Sequence, residues 1–355
     1  MQASGQASLS KDASIHIIGQ GLAGSVMAFR LIEAGYRPLV FDRGLANASS
    51  MVAAGMWNPV NFKRLNVGKH PELYIESMYE VYQRMETWLG VSFFRPLPII
   101  RLYDSREEVH QWDLHEAMGK SGASYLSNPS HPVSDARVRH MHGAGLVQEG
   151  GRVNLPVMLH AMRARLQAEG LLRETTHEED PQALTIHCSG MDVKAHPYWQ
   201  WLPMAPNKGQ VLTVRIPDFD TAHIYHFGRF VVPMEGDEYK LGSTYELNPH
   251  NALPDDEKGL EIMQDCNTTL EVDTTIVSHK AGYRPTTFDR MPIVGRHPER
   301  MNHYVFGGFG SRGVYYVPLC SARMIDFLIH GTDLPREIGT SRLTKYYRTS
   351  ADTEK

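Results

Sequence analysis

The chain has 355 residues, enough for one to three domains, and its 42% hydrophobic and 21% charged residues match an ordinary globular protein, which excludes a disordered or fibrous one. The formal net charge is -4 and no long run of Lys or Arg occurs, which argues against a dedicated nucleic-acid surface. The first dozen residues are polar and no apolar run nears the roughly 20 residues that span a bilayer, so a cytoplasmic protein without membrane contact is expected.

Residues 14–18 (SIHII) form a β-branched run ending on Gly19, and the text then changes to the helical periodicity of GLAGSVMAFRLIEAG. Gly35 stops that helix, residues 39–41 read as a second strand, and Asp42 and Arg43 follow at its end. Strand, glycine turn, helix and second strand with a terminal acid form the dinucleotide-binding βαβ pattern. Gly19 permits the tight turn, Gly21 lets the backbone approach a pyrophosphate, and Gly24 lets helix and strand pack closely. Leu22 and Ala23 place their N–H groups at the positive end of the helix. Asp42 suits ribose hydroxyls and repels a 2′-phosphate, so NADP is disfavoured while FAD and NAD remain.

The next segment, residues 46–59 (ANASSMVAAGMWNP), is rich in small residues, a feature a simple NAD dehydrogenase does not need here. It resembles the D-amino-acid-oxidase superfamily of flavoenzymes, glycine oxidase type. The resemblance implies FAD and puts Ser49, Ser50, Ala53, Ala54, Gly55 and Met56 beside the flavin. GRVNLP, residues 151–156, is similar to the family segment whose Val contacts the adenine side, which corresponds to Val153. LTIHCSG, residues 184–190, resembles the turn that brings Ser189 and Gly190 under the cofactor, and KGQV at 208–211 the entry to the substrate domain. The densest similarity covers residues 281–299 and 304–331. The latter also resembles the oxidase half of the bifunctional enzymes that modify wobble uridines in tRNA.

Gly308, Gly310 and Gly313 repeat the glycine spacing, but the helix that follows ends at Gly331 and no second strand presents an acid, so no second nucleotide site is expected. The loop, with Ser311, Arg312 and Val314, instead offers N–H groups and a helix dipole to the negative charge of a reduced flavin. The resemblance makes Arg284 the partner of a substrate carboxylate, which a guanidinium fork suits; a salt bridge to Asp289 is the plainer use of that arginine. Where glycine oxidase has a tyrosine before its Ile-Val-Pro strand, this chain has Phe230, with Tyr225, His226 or Tyr245 as replacements, so glycine itself is a doubtful substrate.

The expected fold is mixed α/β: a Rossmann-type FAD-binding domain (14–90, 140–208 and 278–335) interleaved with an antiparallel-sheet substrate domain (91–139 and 209–277), a helix near 107–118, another over 255–266, and loose termini at 1–12 and 341–355. The expected activity is FAD-dependent oxidation of a small carboxylate-bearing amine or amino acid, with Arg284, Arg312 and Tyr245 as catalytic candidates. Hydride passes to flavin N5, the imine hydrolyses, and oxygen or another acceptor takes the electrons. A tRNA-borne aminomethyl group, a 2-hydroxy acid and a noncatalytic flavoprotein are the alternatives. Cys188, Cys266 and Cys320 lack CxxC spacing and the 18 histidines lack carboxylate-backed pairs, so neither disulfide nor metal is expected.

Overall fold

The computed structural model describes residues 9–347 apart from 47, 118–122, 129–132, 134 and 248. Strand β1, Ile15–Ile18, is buried along most of its length, as a strand covered on both faces must be. It pairs in parallel with β2, Leu39–Phe41, on one side and Leu184–His187 on the other. Helix α1, Leu22–Glu33, crosses between β1 and β2, with a last turn that closes at Gly35 in the left-handed region. The sheet has six strands in the order Leu172–Arg173, β2, β1, Leu184–His187, His303–Gly307 and Ile293–Arg296, the last antiparallel to its neighbour.

Ile15, Ile17, Val26, Met27, Phe29 and Leu31 pack in one core with Met78 and Met85 of the helix Pro71–Leu89, Met162 of Leu155–Ala168 and Met324 of Gly313–His330. Each such side chain contributes about 1.5–3 kcal/mol by leaving water. That core presses the four helices onto the sheet and holds the glycine turn rigid.

A second sheet of nine strands is built around Asn207–Arg215, with Glu238–Gly242, Phe230–Pro233 and Ile224–His226 following on one side and Thr275–Arg284 pairing on the other. Helix Asp256–Thr269 covers it, with Ile262 and Cys266 against Leu212, Val214 and Leu241. Asp255 caps that helix by accepting from the N–H groups of Glu257 and Lys258, and the acidic first turn suits the dipole. Cys188, Cys266 and Cys320 are all free and buried.

Sheet membership departs from the expected segment boundaries. Ala144–Val147 pairs with Ile99–Leu102, and Thr275–Arg284 pairs with Asn207–Arg215, so both strands belong to the nine-stranded sheet although they fall in segments expected around the cofactor. Long-range pairing partners decide this, and local pattern carries no trace of them. The C-terminal stretch is also tighter than expected. Thr340–Tyr346 forms a 3₁₀ turn with Leu343 buried, and the Thr340 hydroxyl donates to the Arg296 carbonyl at 2.9 Å. Residues 1–8 and 348–355 lie outside the described residues, as does Met118, where the helix expected near 107–118 ends; the helix observed is Arg106–Ala117.

Six histidines gather on one side of the six-stranded sheet. His16 Nδ1 lies 3.0 Å from His177 Nε2, and His187 Nε2 lies 3.4 Å from His303 Nδ1. His196 packs on His187 at a ring separation of 4.4 Å, and His297 packs against Trp199. Burial pulls all six below the usual imidazole range, His177 to about 4 and His187 to about 2. Each is neutral when folded and free to take a proton when unfolded. Below about pH 6.5 the unfolded chain therefore binds more protons and stability falls as pH drops. The melting temperature should decline between pH 7.5 and 5, with a shallower slope in His187→Gln.

Candidate functional site

A cavity of about 1280 Å³ runs along the carboxyl ends of β1, β2, Leu184–His187 and His303–Gly307 and continues under the nine-stranded sheet. Open parallel sheets bind ligands at this end because the helix N-termini converge there. The volume exceeds the roughly 300–1,000 Å³ of drug-sized pockets, so the ligand space suits an extended molecule.

Backbone forms one end. Gly19 has φ +96°, and a Cβ there would lie 2.9 Å from the Cys188 carbonyl oxygen. At Gly24 a Cβ would overlap the Gly19 carbonyl, whereas at Gly21 it would meet only Ser50 Oγ at 3.5 Å. Gly21 thus faces open space and Gly24 faces packed backbone, as the sequence spacing implies. The N-cap residue of α1, Gly21, has no side chain to cap the helix and the first turn holds no acid, and Gly21, Leu22 and Ala23 line the cavity. An anion fits such a terminus.

Asp42 accepts from Gln20 N at 2.8 Å, Gly44 N at 2.8 Å and Arg163 Nη1 at 3.1 Å, so it braces the turn as well as lining the cavity. Arg43 reaches Asp192 at 2.8 Å across the mouth. Both side chains are about two-thirds exposed, and a pair of that kind contributes at most about 1 kcal/mol.

Helix α2, Ser49–Val52, and the residues after it form the opposite wall. Ser50 Oγ accepts from Leu22 N at 3.2 Å, tying α2 to α1. From the nine-stranded sheet, buried Lys240 donates to the carbonyls of Val52 at 3.2 Å and Ala53 at 2.7 Å. Burial pulls this lysine down to about 8, with the charges of Lys280 and Arg152 adding to the effect. Ala53, Ala54, Gly55 and Met56 line the cavity, and Gly55 (φ +70°) packs directly on Val153.

Val153 itself does not line the cavity. It is fully buried in the strand Gly151–Val153 and donates to the Gly55 carbonyl at 3.0 Å, so it holds that loop. The wall nearest Asp42 is instead Thr175, Thr176 and His177, which follow the strand Leu172–Arg173 beside β2. Sequence reasoning missed them. Their signal was positional: they leave the carboxyl end of a strand adjacent to β2.

Ser189, Gly190, Gly310, Ser311, Arg312, Gly313 and Val314 all line the cavity, and helix Gly313–His330 begins there with no side-chain cap and no first-turn acid. Gly308 stands back from it at φ +72°, where a Cβ would meet Thr287 at 2.8 Å. Arg312 is neither solvated nor free, since Nη2 donates to the carbonyls of Asn58 and Pro59 at 3.1 Å each. Trp57 Nε1 and Asn58 Oδ1, on residues lining the same wall, are buried without partners among the described residues. Such orphans suit a ligand carrying both donors and acceptors.

Arg284 stands at the other end, its fork lying over Gly209. Nη1 donates to Asn207 Oδ1, and Nη2 donates to Ser243 Oγ at 2.7 Å and the Thr244 carbonyl at 3.1 Å. No carboxylate pairs with it among the described residues; Asp289 pairs with Arg342 at 2.8 Å instead. Burial lowers its pKa, yet a guanidinium stays charged, so a cation without a counter-ion faces the cavity. Tyr245, 60% exposed, has its ring 5.6 Å from that guanidinium. Phe230 and His226 line the cavity, whereas Tyr225 turns away and donates to Asp220 at 2.8 Å.

A family model described as FAD dependent oxidoreductase (DAO) matches residues 14–326. The glycine oxidase of Bacillus subtilis is 25% identical over 352 residues, covering 88% of this chain and 92% of that protein. The tRNA 5-methylaminomethyl-2-thiouridine biosynthesis bifunctional protein of Pseudomonas syringae is 24% identical over 91% of this chain, which spans 56% of that longer protein. Among solved structures, glycine oxidase from Geobacillus kaustophilus superposes with a TM-score of 0.77 at 18% identity, covering 90% of this chain and 95% of that one. Among the described residues no helix is long and apolar enough to cross a membrane and no group of side chains suits a metal ion.

Lys240→Met removes both donors to α2. A charge-assisted hydrogen bond contributes about 1.5–3 kcal/mol, so the dissociation constant for FAD, read from quenching of flavin fluorescence, should rise by about tenfold or more.

Proposed function

The chain belongs to the DAO family of FAD-dependent oxidoreductases, and from that premise we propose that it oxidises a small carboxylate-bearing amine or amino acid. The six-stranded unit holds the cofactor and the nine-stranded sheet holds the substrate. The backbone of Gly21 to Ala23 at the α1 N-terminus would hold the pyrophosphate, and Asp42, whose oxygens retain lone pairs beyond the donors they already accept, would take the ribose. Ala53 to Met56 and Gly310 to Val314 would hold the ring system, beside the unpartnered Trp57 and Asn58 atoms. FAD supplies the two-electron acceptor for the reaction.

The observation that carries this reading is Arg284, a part-buried guanidinium with only neutral partners in the cavity wall. A substrate carboxylate completes its charge balance, and holding that group fixes the amine-bearing carbon at one place in the cavity. The carbon–hydrogen bond breaks with its electron pair leaving as hydride, the nitrogen lone pair forms the C=N bond, and water hydrolyses the imine. An amine that arrives neutral needs no protein base for this step. The N-terminus of Gly313–His330, with no side-chain cap and no first-turn acid, would stabilise negative charge at that wall.

A tRNA-borne aminomethyl group is a second reading, favoured by the likeness to the bifunctional tRNA protein. The net charge of -4 and the absence of a basic run weigh for a free small molecule. Filter binding to tRNA at two salt concentrations separates the two, because phosphate-driven binding weakens as salt rises.

Anaerobic mixing with amino acids, N-methyl amino acids and 2-hydroxy acids should bleach the flavin for at least one amine; bleaching by hydroxy acids alone, or by nothing, rejects amine oxidation. With that amine, Arg284→Ala should raise KM well over tenfold, consistent with a loss of about 2–4 kcal/mol, and an unchanged KM removes Arg284 from the site.

A further inference from the structure

Arg101 is almost fully buried, and its fork is held by Glu108 at 2.7 and 3.0 Å and by Asp104 at 2.5 Å. Its remaining terminal nitrogen, Nη1, lies 3.0 Å from Nδ1 of His226 and 3.3 Å from the His226 carbonyl. A guanidinium can only donate, so Nδ1 accepts, and the imidazole is neutral with its proton on Nε2. Arg101 therefore sets the tautomer. Nε2 has no partner among the described residues, and the ring, which packs on Phe62 at 4.4 Å, lines the cavity.

Strand register places this donor relative to Arg284. Val211, Gly242, Phe230 and His226 lie directly opposite one another across four neighbouring antiparallel strands, so all four share one face of the sheet. Val211, Phe230 and His226 line the cavity, and Gly209, under the Arg284 fork, lies two residues from Val211 on that same face. Three strand spacings of about 4.8 Å separate the strand beneath Arg284 from that of His226, a floor about 14 Å wide. A simple α-amino acid cannot cover it.

The geometry points to a second recognition point at the far end of this floor: His226 presents its Nε2–H to a hydrogen-bond acceptor carried by the amine's substituent, and so selects substrates longer than a simple amino acid. Arg101 is a positioning residue that acts through His226. This inference rests on Arg284 holding a carboxylate, as proposed above.

The test titrates the FAD-loaded enzyme with adipate, suberate and sebacate and with the monocarboxylates of equal chain length, reading the flavin absorbance. In the wild type at least one dicarboxylate should bind about tenfold more tightly than its monocarboxylate counterpart, as one satisfied hydrogen bond allows. His226→Phe should abolish that advantage without weakening the monocarboxylates, and His226→Gln, which keeps a donor, should restore part of it. Nitrogen-15 spectra of ring-labelled histidine should show the signal lost in His226→Phe as a neutral Nε2–H tautomer, and Arg101→Met should change that signature. An advantage that is absent or survives in His226→Phe, or a proton found on Nδ1, overturns the inference. If Arg284→Ala leaves every carboxylate bound as before, the carboxylate reading fails and this inference with it; if only the Arg284 effect is seen, the failure is confined to His226.

Discussion

The contact between Gly24 and the Gly19 carbonyl is the constraint from which the rest of the site follows. No side chain fits between them, so α1 runs against the end of β1 and its uncapped terminus opens directly into the cavity. Had the helix stood off by the thickness of a methyl group, Leu22 would not meet Ser50 and the wall made by α2 would lose its tie to α1. A single interatomic approach thus sets the width of the cofactor channel, and the apolar core beneath it keeps that approach from relaxing.

Lys240 extends the same logic to the other sheet. Its ammonium crosses from the nine-stranded sheet to the carbonyls that end α2, where a cation also suits the negative end of a short run of peptide dipoles. The cofactor wall is therefore shared property of two sheets. The position of Arg284 on a strand that pairs with Asn207–Arg215 has the same effect, because this cavity-lining residue is carried by a strand whose continuation leads back into the six-stranded sheet.

How far this was legible in the sequence depends on whether a residue acts through its own backbone or through a distant partner. Gly19, Gly21 and Gly24 could be read directly, since a glycine turn between a strand and a helix has few other physical uses. Asp42 was placed correctly at the strand end, but its three donors, one of them from Arg163, were invisible to local pattern. The burial of the Val153 side chain in the core, in a segment close to the cavity, was likewise invisible to local pattern. Thr175 to His177 were missed because they follow a two-residue strand whose existence depends on pairing with β2. The proton position of His226 depends on Arg101, 125 residues away, and spacing within one chain segment cannot reveal such a partner.

Under the nine-stranded sheet the cavity floor draws side chains from three strands, Val211, Phe230 and His226, while the end at Gly19 to Ala23 is made largely of main chain. The two halves of the cavity therefore differ in how they can change over evolutionary time. A substitution at Val211, Phe230 or His226 alters one rung and leaves the ladder hydrogen bonds of the sheet in place, because those are made by backbone. At Gly19 or Gly24 any added carbon collides with main chain that has nowhere to go. Such a scaffold can diversify in what it accepts, one side chain at a time, without renegotiating the cofactor on which every version of its chemistry relies.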